Sequence, residues 1–303
     1  MKRLAIALGL IGLAAVLALL ITRPSGLSAD DLPVHVADAS NGERVFHAGG
    51  CASCHASTET ESETPVLGGG LAMDTPFGIF RVPNISPHPS RGIGNWSLLD
   101  FVNAMHMGTS PDGRHYYPAF PYASYIRMSL EDLVDLKSYL DTLPEAKERN
   151  EYHQLKFPWN VRAGIGLWKL LNLDSAAVVS VPLENEVLLR GRYLVEGPGH
   201  CGECHTPRNW SGGLNKDRWL AGAPNPDGEG RVSNITPSPK GLAAWSQGDI
   251  EYYLETGLDP DFDTVGGSMV EVQENLSRLP AKDREAIAAY LKSTPPLEHD
   301  PGD

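Results

Sequence analysis

The chain has 303 residues, long enough for about two domains. With 41% hydrophobic and 21% charged residues it is ordinary globular protein, not disordered chain. Lys plus Arg number 25 against 38 Asp plus Glu, a net charge of −13, which excludes a basic nucleic-acid footprint and points to solvation or to docking on basic partners.

Lys2 and Arg3 precede an apolar run of 18 residues, Leu4 to Ile21. No polar face interrupts it, and the best cleavage site, Leu27-Ser28-Ala29, starts on a bulky residue. The segment 1–30 is therefore predicted to be an uncleaved signal-anchor, a single transmembrane helix, with a cleaved signal as the alternative. Either reading exports the rest of the chain into an oxidising compartment.

Beyond this segment the chain repeats itself. Cys51-Ala52-Ser53-Cys54-His55 returns as Cys201-Gly202-Glu203-Cys204-His205, and Asn84-Ile85-Ser86-Pro87 as Asn234-Ile235-Thr236-Pro237, both at an offset of 150. Trp96-Ser97 returns at 149 and Tyr139-Leu140 at 151. The period is too long for a solenoid and predicts a duplicated domain, 38–148 and 184–297, joined by a connector over 149–183. That connector carries Phe157, Trp159, Ile165, Trp168, Leu170 and Leu171, too much apolar surface for a free linker, and is predicted to pack on the domains.

Within the repeats the periodicity is helical. Asn41 is read as capping a first helix that leads into the cysteine motif, and Ser97 as capping Leu98–Met107. Ser129 opens a last helix that places Leu133, Leu136, Tyr139 and Leu140 on one face. The matching helices of the second repeat are Gln247–Thr256 and Ala281–Ser293. The segments between are rich in Gly and Pro and show little strand alternation. The predicted fold class is all-α: two tandem domains with long loops, preceded by one transmembrane helix.

Cys-x-x-Cys-His is the attachment signal of c-type haem. Two thiols one helical turn apart can bond the two vinyl groups of one porphyrin, and the adjacent imidazole is then held beneath the iron. Cys51, Cys54 and His55 are assigned to one haem and Cys201, Cys204 and His205 to a second. A zinc site or a redox dithiol explains neither the paired His nor the exported, duplicated, helical setting. A thioether sixth ligand suits a closed electron-transfer iron. In the second repeat Met269, ahead of the last helix, is the candidate. In the first, the position nearest the usual ligand is Phe120, which cannot ligate. Met128, immediately before the Ser129 cap, is preferred, with His115, Met105, Met107 or an open iron as alternatives. Arg81, Arg231, Asn84 and Asn234 occupy matching positions suited to haem propionates. The other histidines, His35, His47, His88, His153, His200 and His299, lack ligand spacing; His200, next to Cys201, is read as shaping the haem edge. Trp96 and Trp245 are read as core packing.

The run from Leu189 to Asn209, the Asn-Ile-Ser/Thr-Pro segments, Tyr117-Pro118-Ala119-Phe120-Pro121-Tyr122 and Phe157-Pro158-Trp159-Asn160 resemble the cytochrome c subunits of bacterial membrane-bound periplasmic alcohol, aldehyde and gluconate dehydrogenases. Familiar members often carry three haem domains where this chain has two, and many have Met where Phe120 stands. The resemblance implies a protein at the periplasmic side of the inner membrane with two covalently bound haem c groups. It would take electrons from a periplasmic dehydrogenase subunit and pass them to quinone, a terminal oxidase or a soluble cytochrome. Substrate chemistry would lie on the partner. The competing expectation is a dihaem enzyme of the peroxidase or thiosulfate dehydrogenase type, with an open distal site at the first haem.

Overall fold

The computed structural model describes residues 2–57, 64–225, 228 and 230–298. His299 lies outside them.

The first helix, α1 (Lys2–Ile21), is the one predicted to cross the membrane. Lys2 and Arg3 lie inside its first turn, and the 18 apolar residues that remain rise about 27 Å, short of the ~30 Å hydrocarbon core. Among the described residues no helix is long and apolar enough to cross a membrane, so the expectation of a transmembrane helix is corrected. The chain leaving α1 is instead tied to the first repeat. Thr22 O accepts from His115 Nε2 (2.8 Å), Asn103 Oδ1 from Leu27 N (2.6 Å) and Ser25 O from Thr109 Oγ1 (2.8 Å).

The first repeat contains α2 (Ala39–Ala48), α3 (Cys51–His55), β1 (Ala72–Thr75), β2 (Gly78–Arg81), α4 (Leu98–Met107), α5 (Tyr122–Tyr125) and α6 (Leu130–Leu140). The helix α2 begins earlier than its sequence suggests: Asp38, not Asn41, is the cap, accepting from Ser40 N and Asn41 N. Asn41 Nδ2 is committed elsewhere, to Asp132 Oδ1 (2.7 Å) and Asp135 Oδ2 (2.8 Å). Ser97 and Ser129 cap α4 and α6 as read.

The connector contributes β3 (Gln154–Leu155) and α7 (Gly164–Asn172). Trp168 meets the Tyr122 ring edge-on at 6.2 Å, and Lys169 Nζ donates to Met107 O (2.6 Å) and Gly108 O (2.8 Å). Asn172 Oδ1 accepts from Ser211 Oγ (3.0 Å) in the second repeat, and Val178, Val179 and Val181 pack on its core.

The second repeat contains α8 (Glu186–Glu196), α9 (Gly202–His205), β4 (Ala223–Pro224), β5 (Arg231–Val232), α10 (Gln247–Thr256), α11 (Met269–Ser277) and α12 (Ala281–Ser293). The strands correct the all-α expectation. They form an antiparallel sheet in the order β1-β2-β3 and an antiparallel pair β4-β5. Each is too short to show alternation in sequence, and β2 takes one of its neighbours from the connector, which Gly78 (φ +122°) admits to within van der Waals range.

Two apolar cores result. One gathers Phe46, Leu67, Val102, Leu133 and Leu136; the other Val195, Leu220, Ile250, Ala288 and Tyr290. In each, the helix before the cysteine motif crosses the last helix at a glycine. A Cβ on Gly42 would fall 2.0 Å from Asp135 O, and one on Gly191 1.9 Å from Ala286 O. A polar clasp seals each crossing: Asn41–Asp132 in the first, Arg190–Asp283 (2.8 and 2.9 Å) in the second.

The repeats face each other through matching positions. Asn275 Nδ2 donates to Ser53 Oγ (3.1 Å), and Ser124 Oγ to Glu203 Oε1 (2.9 Å). These pairs exchange under the repeat, at offsets of 150 (Ser53 to Glu203) and 151 (Ser124 to Asn275). His47 bonds Asn275 (3.3 Å) close to Arg278, and its counterpart Glu196 faces Arg127 (3.9 Å), the counterpart of Arg278. The interface is therefore of the isologous, two-fold kind, within one chain.

Candidate haem sites

Both cysteine motifs are reached through a break in the chain. α2 stops at Gly49; Gly50 takes φ +55°, and α3 starts at Cys51. In the second repeat α8 stops at Gly197, and His200 takes φ +37° ahead of Cys201 and α9. The short helix that follows sets each pair of thiols on adjoining turns, the first half-buried and the second exposed.

The two histidines are oriented alike. His55 Nδ1 lies 2.8 Å from Pro83 O and His205 Nδ1 2.7 Å from Ser233 O. A carbonyl oxygen only accepts, so Nδ1 carries the proton and Nε2 is left as a lone pair. Burial holds both imidazoles below the usual histidine range, outweighing the bond to the carbonyl, which keeps them neutral at pH 7. A metal-binding imidazole needs that state and that support from its far nitrogen. The carbonyls of Gly69's and Gly222's partners complete the match: Gly69 N donates to His55 O and Gly222 N to His205 O, both at 2.8 Å. Burial also pushes the Cys51 and Cys201 thiols up to about 12, so neither is a thiolate at neutral pH in the protein as it stands. The residues present fit a covalently attached haem: two thiols, and one neutral imidazole with its Nε2 available.

The candidates for the sixth position fall in different places. Met128 is buried (4% exposed) in the first core, with Met105, and Cys51 and Phe120 pack against the same cluster. Its carbonyl accepts from His106 Nε2 (3.3 Å). Met107 and His115 instead line a recess beside Thr22, Lys169 and Leu170, where His115 Nε2 is spent on Thr22 O. Phe120 is stacked edge-on between Tyr116, Tyr122 and Tyr125. Met269 is half-buried at the start of α11.

The propionate reading of the asparagines is corrected. Asn84 Nδ2 donates to Ala146 O and Glu148 O (both 3.0 Å) while its Oδ1 accepts from Ser86 N (2.9 Å). Asn234 repeats this with Leu297 O (2.7 Å) and Thr236 N (2.8 Å). Each is buried and clips the segment that follows its domain's last helix. Arg81 lies against Glu151 (3.3 Å). Trp96 and Trp245 pack on the two cores.

Sequence reasoning missed the carbonyls of Pro83 and Ser233. The signal was present: each lies 28 residues after its histidine and directly before the repeated Asn-Ile.

A family profile described as cytochrome c matches residues 39–144. The chain is 49% identical over 298 residues to a "Diheme cytochrome c-type" protein of Cereibacter sphaeroides, covering 98% of this chain and 99% of that one. It is 36% identical to the "Fructose dehydrogenase cytochrome subunit" of Gluconobacter japonicus, covering 90% of this chain but 55% of that subunit. To the "Gluconate 2-dehydrogenase cytochrome c subunit" of Pantoea cypripedii it is 34% identical, covering 92% and 64% respectively.

Proposed function

We propose an electron-carrying role for this chain, which belongs to the dihaem c-type cytochromes: it accepts electrons from a dehydrogenase at the periplasmic side of the inner membrane and delivers them to quinone or a terminal oxidase. The chain binds two haem c groups covalently. Once bound, each supplies a one-electron ferric–ferrous couple. The observation that carries the reading is the duplicated imidazole–carbonyl clamp, which orients one neutral Nε2 in each repeat beside a pair of thiols. His55 and His205 are the proximal ligands, Cys51, Cys54, Cys201 and Cys204 the points of attachment.

Met128 and Met269 are assigned as the distal ligands. A buried thioether in the cluster that covers Cys51 supports the first; a half-buried one ahead of the last helix supports the second. With both positions filled, the irons exchange electrons without binding reactants. The test is spectroscopic. Met128→Ala should abolish the Fe–S charge-transfer band of the first haem and leave the second, and Met269→Ala the reverse. Rapid carbon monoxide binding by the reduced wild-type protein would sink the carrier reading and favour a dihaem enzyme. Stopped-flow mixing of the reduced protein with a soluble ubiquinone analogue checks the acceptor: reoxidation is expected, and none would remove quinone from the scheme.

A further inference from the structure

His200 holds a backbone conformation that side chains avoid. Its φ is +37°, in the left-handed region, and its counterpart in the first repeat, at an offset of 150, is Gly50 at φ +55°. A glycine makes this turn without strain, so the turn itself does not call for an imidazole. Strain of this kind persists where the surroundings over-determine it, and it marks sites where the side chain has a task.

The side chain of His200 leaves its own repeat. Nε2 donates to Gly49 O (3.3 Å), and the ring meets Tyr125 at 5.7 Å and 69°. Both contacts belong to the first haem domain. Gly49 precedes Gly50 and Cys51, and Tyr125 is buried in the core against which Cys51 packs. The two attachment segments are themselves in contact there: a Cβ built on Gly49 would lie 3.5 Å from Cys51 Sγ and 3.6 Å from Pro198 O. One on Gly199 would lie 3.6 Å from Cys201 Sγ. The attachment segments of both motifs therefore meet at the interface between the halves, Cys51 and Cys201 lying two residues and one residue from the Gly49–His200 contact, and His200 is the side chain that crosses it at this point.

We infer that His200 is a positioning residue for direct electron exchange between the two haem centres, holding the segments of Cys51 and Cys201 in register across the interface. This rests on the dihaem electron-carrier reading above. In the exchange one electron leaves the reduced centre and arrives at the oxidised one; no bond forms or breaks and no proton moves.

His200→Gly is the variant of choice, since glycine keeps the backbone while removing the crossing side chain. The probe is the full-length protein carrying both haems, half-reduced by a flash-generated reductant and followed by transient absorption. Internal exchange should be several-fold slower in H200G, with both absorption spectra, iron content and melting temperature unchanged. His200→Asn, which tolerates the same φ and keeps an N–H donor, should recover part of the rate. Unchanged exchange in H200G overturns the inference, as does a slowing that tracks a fall in melting temperature. A wild-type chain containing fewer than two irons would instead overturn the underlying dihaem reading.

Discussion

A single carboxylate shows how strongly these domains depend on buried polar detail. Asp135 is buried on α6 and faces the start of α2. Burial opposes its ionisation, but bonds from Asp38 N, Asn41 Nδ2 and His35 more than compensate and hold its pKa below the ordinary 3.8. A depressed carboxyl contributes stability that is complete above the unfolded-state pKa and is lost as pH falls through the folded-state value. Asp135→Ala should therefore destabilise the holoprotein at pH 7 by about 2 kcal/mol, the cost of stranded buried donors. It should also shift the onset of acid unfolding, followed by circular dichroism, to higher pH. Equal acid midpoints in variant and parent would reject this account. At this scale the six residues proposed to attach and ligate the haems stand out in the sequence because Cys-x-x-Cys-His is a side-chain pattern. The carbonyl partners of His55 and His205 do not, because every residue carries that acceptor. Asn84 and Asn234 were misjudged for a related reason: a polar side chain beside a cofactor motif looks like a ligand until its bonds to the backbone are seen.

Helix limits were legible: α4 and α10, opened by Ser97 and Ser246 caps, and α12, entered from Pro280, all have the predicted bounds. The strands were not, since pairs of two to four residues give no period, and β3 joins its sheet from the connector. The crossing of first and last helices escaped notice as well, although Gly42 and Gly191 stand 149 apart. Both glycines face a backbone carbonyl closely enough that any Cβ forces the helices apart. Gly42→Ala and Gly191→Ala should each cost about 1–3 kcal/mol, the range for overpacking a tight core. Thermal melting of the holoprotein measures it. A neutral result at either site would mean that the crossing relaxes freely. The long apolar helix α1 was given the wrong role: two of its residues are cationic, and the chain beyond it is bonded to the first repeat.

Across the whole molecule, the duplication was plain from offsets that stay within one residue of 150. The surface that joins the halves was not, because equivalent positions hold different residues: Ser53 against Glu203, His47 against Glu196, Asn275 against Ser124. Glu196 is the most heavily used of them. Its buried carboxylate accepts from Val178 N (2.7 Å), Val179 N (3.0 Å) and Tyr290 OH (2.6 Å), and faces Arg127 of the other half. It thus ties the connector, the second core and the first domain to one point. Glu196→Ala should cost about 3 kcal/mol or more, since it strands several buried partners at once. Calorimetry should then resolve two transitions where the parent shows one; a single transition at an unchanged temperature would show that the halves are held together elsewhere.

The imidazole clamps have a further consequence. With His55 and His205 as the proximal ligands proposed above, each ring leans on the main chain of a neighbouring loop, at Pro83 and at Ser233. The electron-donating strength of the ligand is thereby set by peptide geometry, which no exchange of side chains at those two positions removes. Evolution or engineering that seeks to retune either redox centre must work from the opposite face or from the charges around it, while the proximal side stays constant in both halves.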